Sequence, residues 1–165
     1  MFRYIEHKNK TFLFGAYRGE KSQLDWILGE KTQRYEKLYN IRFNKDLFSL
    51  RNGGTLSNVL PDYVLIYNSQ NPQEGYHLFP CVNSSVKEQG EMELLQYPNP
   101  NGAYIVYSLG DELPAEPLDI NELIKNVFQK GDKETPFAPK FLKGDDIANA
   151  VNASLERPQM AESKQ

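Results

Sequence analysis

Candidate chemistry in this chain begins with His77 and Cys81, four residues apart in Tyr76-His77-Leu78-Phe79-Pro80-Cys81-Val82. An imidazole beside a thiol is the pairing that activates a cysteine nucleophile. The surrounding residues read as a strand, however, and four steps of about 3.3 Å hold the two side chains about 13 Å apart. Cys81 is therefore expected to act as a small buried hydrophobe, and His77 as an ordinary strand residue. Two histidines and one cysteine give no His-x-x-x-His or Cys-x-x-Cys spacing, so neither a metal nor a cofactor is expected.

Carboxylates offer a second route. Asp62 follows Pro61 at the mouth of the apolar run Tyr63–Tyr67, where a metal-dependent nuclease would place an aspartate. Such a centre needs a second acid and a lysine on the next strand, and Glu74-Gly75-Tyr76-His77 contains no Glu-x-Lys. Asp62 is expected to start a strand. Glu91 and Glu93, two residues apart, fall on one face of a predicted strand and read as a solvated edge. Gly53-Gly54 lacks the Gly-Lys-Ser or third glycine that would complete a nucleotide loop and reads as a turn. The chain is expected to be noncatalytic.

Binding chemistry is better supplied. Lys31, Arg34, Lys37, Arg42, Lys45 and Arg51 follow one another with Tyr35, Tyr39, Phe43 and Phe48 interleaved, a mixture of phosphate-seeking charge and stacking faces. Trp26, at about 100° per residue, lies opposite Leu24 on the outer side of a predicted helix, where a large aromatic can anchor a partner. It can equally belong to a minor core beneath the segment that follows. The leading expectation is a domain that binds a protein partner through Trp26 and an acidic central region, with Arg34, Lys37, Arg42 and Arg51 as further contacts. The alternative is a nucleic-acid-binding or nucleic-acid-processing domain using a basic N-terminal helix and loop. Oligomeric state is not specified by the sequence.

The elements that must position these residues are read from periodicity. Residues 2–6 and 11–18 suggest a hairpin. Ser22 and Asp25 resemble a capping box, and Leu24, Ile27, Leu28, Tyr35 and Leu38 continue a helical stripe to Tyr39, with Gly29 as an internal fault. Residues 40–61 fit neither period. Tyr63–Tyr67 is apolar on both pleat faces, as in a central strand, and Tyr76–Val82 is its expected antiparallel neighbour, with Pro80 favouring an edge or strand end. Met92–Tyr97 and Ala103–Leu109 flank Asn101-Gly102 as a second hairpin. Asp119 opens a helix carrying Ile120, Leu123, Ile124, Val127 and Phe128, and a weaker helix follows from Asp145 to Leu155. The class expected is α+β, with an antiparallel or mixed sheet of five to six strands and two to three helices mainly on one face.

The 165 residues suit one domain over 1–155, with a polar, disordered tail over 156–165. One cysteine excludes an intramolecular disulfide. No apolar run reaches the roughly 18 residues of a membrane helix, and MFRYIEHKNK lacks a leader's apolar stretch, so a cytoplasmic location is expected. The net charge of −3 is unevenly spread. Residues 1–51 carry eleven basic and six acidic side chains, whereas 52–124 carry ten acids against Lys87 alone. This layout either directs two unlike surfaces at partners or is cancelled where the two stretches meet.

Overall fold

The computed structural model describes residues 1–29, 36–42, 60–128 and 139–151. Within them are β1 (Thr11–Tyr17), α1 (Lys21–Leu28), β2 (Lys37–Arg42), β3 (Tyr63–Asn68), β4 (Tyr76–Lys87), α2 (Gln89–Leu94), β5 (Tyr104–Leu109), α3 (Ile120–Phe128), β6 (Lys140–Lys143) and α4 (Gly144–Ala148). The strands form one mixed sheet in the order β2-β5-β4-β3-β1-β6. Only the β1–β3 pairing is parallel; the other ladders are antiparallel. The protein is thus α+β. Among the described residues, no helix is long and apolar enough to cross a membrane.

The sheet is covered on both faces because its central strands are apolar on both sides. Leu13, Val64 and Ile66 point into one core with Trp26 and Ile27 of α1 and Met92 of α2. Their neighbours Phe12, Phe14, Leu65 and Tyr67 point into the other, with Leu123 of α3 and Ile147 of α4. The helices are therefore divided between the two faces rather than gathered mainly on one. A strand alternating between two apolar sets must be covered twice, or one set would stay in water.

β3 lies between β1 and β4, as its composition predicts. β4 is long enough to serve two partners: residues 76–80 pair with β3 and the remainder with β5, after an irregularity between Cys81 and Asn83. Pro80 sits inside this strand rather than at an edge. The Cys81 amide donates to Asp62 O, so the amide positions facing β3 alternate from 81, and residue 80 faces the other way. There its carbonyl accepts from the Gly110 amide, and the ladder to β3 needs no proline N–H.

Three local expectations change. Residues 2–6 are not a hairpin arm: Phe2 makes a single bridge to Ala115, and Tyr4–His7 is a 3-10 turn whose Tyr4 is fully buried. The first helix ends at Leu28, because Gly29 adopts φ 74° and its amide closes onto the Asp25 and Trp26 carbonyls as a left-handed C-cap. Lys37–Arg42 then pairs with β5 as a strand. Residues 89–94 form α2 instead of a hairpin arm, closed by a capping box in which the Glu91 carboxylate accepts from the Glu88 amide. Asn101-Gly102 turns the chain from α2 into β5. Asp119 caps α3 as expected, its Oδ1 accepting from the Glu122 amide at 3.0 Å. Of the loop expected over 40–61, residues 40–42 belong to β2, and residues 43–59 lie outside the described residues, as does the chain beyond Val151 with the expected tail.

Candidate functional site

The residues singled out for catalysis are dispersed by this fold. His77 Nδ1 lies 3.1 Å from the Glu112 carboxylate, while the Cys81 thiol is directed to Asn83 O at 3.7 Å. Burial, reinforced by the nearby Asp62 charge, pushes the Cys81 thiol up to about 12 from its ordinary 9.0, so it is protonated at neutral pH. Asp62 Oδ2 accepts from the Thr11 amide at 2.8 Å, fixing the start of β3 against β1. Glu91 is committed to its helix cap and to Lys87 at 3.7 Å.

The predicted partner contacts are also separated. Trp26 is 2% exposed, its indole N–H donates to Leu95 O at 2.9 Å, and its ring meets Tyr97 edge-on at 4.8 Å. It therefore joins α1 to the end of α2 inside one core and presents no anchor to a partner. Lys37 and Arg42 belong to edge strand β2 and not to a helix. An odd separation of five residues places them on opposite strand faces. Lys37 Nζ lies 3.7 Å from Asp111, whereas the Arg42 guanidinium lies over the Tyr104 ring at 5.7 Å. Arg34 and Arg51 lie outside the described residues.

What the fold does build is a groove of about 750 Å³ beside the N-terminus of α3. One wall is the turn carrying Pro72, Gln73 and Gly75, leading into Tyr76; the other is the extended segment 112–118, continuing into Asp119, Ile120 and Asn121. The size falls within the range of about 300–1,000 Å³ usual for binding clefts. Its charged lining residues, Glu112 and Asp119, are both acids. Asp119 reaches the groove as the cap of α3, and Glu112 as the partner of His77.

This groove is fastened from behind. The Gly110 and Leu113 amides donate to Pro80 O and Leu78 O, laying the incoming chain along β4. Phe2 then bridges Ala115, donating to Pro114 O and accepting from the Glu116 amide. Glu116, 5% exposed, turns inward so that its Oε1 accepts from the Tyr4 amide at 2.8 Å, with Arg3 Nε 4.0 Å from Oε2. The Tyr4 hydroxyl donates to Tyr76 Oη at 2.9 Å, and the Tyr76 hydroxyl donates to Glu116 O. Burial pushes the Tyr76 phenol up to about 12, so the relay stays protonated and intact at neutral pH. A wall held at this many points is present before any ligand arrives, which lowers the ordering cost of binding.

A second, smaller groove of about 430 Å³ opens at the β2 edge, between Arg18 and Glu20 after β1, Tyr39–Arg42 of β2, and Tyr97, Pro98 and Tyr104. Compared with known proteins, the chain matches no protein-family model, no curated protein and no solved structure.

Proposed function

We propose that the protein is a noncatalytic module that binds an extended, basic and partly apolar segment of a protein partner in the groove between residues 72–76 and 112–121. The observation that carries this reading is the lining itself: a braced channel with proline rings, Tyr76, Leu113 and Leu118 for apolar contact, and with Glu112 and Asp119 as the charged side chains among its described lining residues. An apolar side chain flanked by lysine or arginine complements that surface, whereas an acidic peptide or a phosphate backbone is repelled by it. The described lining of the groove lies wholly within the 52–124 stretch, whose acids outnumber Lys87. The nucleic-acid reading has less support, because Lys37 and Arg42 do not share a surface.

The test uses substitutions that remove charge and leave the fold intact. Glu112→Gln retains a hydrogen-bonding group for His77, and Asp119→Asn retains a good helix cap. Each rim charge contributes about 0.2–1 kcal/mol, so the double variant should weaken a basic peptide selected on the native protein about three- to tenfold. Its melting temperature should stay unchanged. Equal affinity of the native and double-variant proteins for that peptide would remove the proposal's support.

A further inference from the structure

The groove at the β2 edge has the opposite chemistry. Arg18 and Arg42 both line it, and neither guanidinium is in an ion pair with another described residue. Arg42 is held over the Tyr104 ring, which sets the direction of its charge. Tyr97 and Tyr104, their rings edge-to-face at 5.3 Å, make an aromatic wall backed by Trp26. On the floor, the Tyr39 hydroxyl is used internally, donating to Ala16 O at 3.0 Å. The neighbouring Asn40 Oδ1 is different: it is buried and, among the described residues, accepts no hydrogen bond. A buried carbonyl of this kind is costly unless a donor arrives to meet it. Glu20 supplies a second acceptor at the rim.

We propose that this groove is a nucleotide site, taking the phosphate of a nucleoside monophosphate on Arg18 and Arg42, with an amino-bearing base meeting Asn40 Oδ1 beside the tyrosine wall. Guanidinium pairs match the phosphate oxygens in geometry and charge. Aromatic walls take bases without regard to sequence. The cavity of about 430 Å³ lies within the usual range for a small ligand. Glu20 lies where a phosphate would be repelled, which orients the ligand with its hydroxyl or amine donors toward that carboxylate. The same chemistry comes from a free nucleotide or from one residue of a single strand.

The experiment titrates the full chain at low salt, by calorimetry, with four probes: adenosine monophosphate, purine riboside monophosphate, inorganic phosphate and a short single-stranded oligoadenylate. Adenosine monophosphate should bind saturably and at least about tenfold more tightly than inorganic phosphate. Losing the exocyclic amine in purine riboside monophosphate should weaken binding, because Asn40 Oδ1 is again left without a donor. Arg18→Ala and Arg42→Ala should each weaken binding about tenfold or more; both side chains are exposed, so the melting temperature should hold in Arg18→Ala and fall only by the loss of the contact with the Tyr104 ring in Arg42→Ala. An oligoadenylate that binds more tightly through the same arginines identifies the strand as source; one that does not identifies the free nucleotide. No saturable binding of adenosine monophosphate, binding equal to that of phosphate, or binding unchanged in both arginine variants overturns the assignment.

Discussion

Trp26 illustrates how a single residue acquires its role from what lies above it. On a helix continued to Tyr39 it falls on a polar outer side, but α1 stops after eight residues and the end of α2 closes over the indole. No periodicity within 21–28 could reveal a cover that comes from residues 95–97. Trp26→Ala should therefore destabilise the fold by about 3–5 kcal/mol in chemical denaturation, as expected for loss of a buried indole. Fluorescence of the native protein's lone tryptophan should be blue and poorly quenched by iodide; a loss below about 1 kcal/mol with red, quenchable emission would contradict its placement. The separation of Cys81 from His77 was legible from the sequence, because both lie on one strand, although Cys81 is half-buried rather than the fully buried hydrophobe expected. With its thiol pushed up to about 12, it should resist alkylation at pH 8 in the folded protein and react at an ordinary rate once unfolded. Rapid alkylation of the folded protein would place it in an electropositive, open environment instead. The groove acids Glu112 and Asp119 could be seen in the sequence only as local turn and cap residues, since their convergence depends on the fold.

Secondary structure was legible where one signal dominated and was misread where two competed. The two-sided apolar run of β3 and the Asp119 cap of α3 are unambiguous in type. Gly29 could be either an interior fault or a C-cap, and the stripe through Tyr35 and Leu38 favoured the fault; the strand alternation of Tyr39 and Ile41 was the rival signal. Likewise Met92 and Leu94 alternate like a strand, while Glu88 and Glu91 carry the capping-box spacing that prevails. Tertiary pairing decides such cases, because a short element takes most of its stability from packing. The β6–α4 junction gives a sharp test at this scale. Gly144 is buried where the chain leaves β6, its amide donates to Lys10 O at 3.0 Å, and a Cβ there would overlap the His7 carbonyl. Gly144→Ala should cost about 1–3 kcal/mol because backbone, not a flexible side chain, stands in the way. An unchanged denaturation midpoint would show that the His7–Lys10 turn yields freely.

Over the whole molecule, the α+β class followed from hairpin-like spacing and the absence of regular strand–helix alternation, whereas coverage of both sheet faces required the actual strand order. Buried protonated groups couple this architecture to pH. Burial raises Tyr76 and Tyr17 to about 12 from 10.0, and Cys81 to about 12 from 9.0. A raised folded value means that the native state holds its protons longer than the unfolded chain. The resulting stability is fully present below about pH 9, and is lost as pH climbs through the window from 9 to 12. Denaturation midpoints should fall across that alkaline window, and a flat profile to pH 12 would contradict the burial assigned to these groups. The two grooves differ in their charged lining: Glu112 and Asp119 near α3, and Arg18 and Arg42 with Glu20 at the β2 edge. The acidic groove is the proposed partner site, and nuclear magnetic resonance of the labelled protein with a bound basic, apolar peptide tests it most directly. Amide shift changes should concentrate in residues 72–76 and 112–121 and diminish in the Glu112→Gln/Asp119→Asn variant. Changes centred elsewhere on the sheet, or identical in that variant, would contradict the assignment.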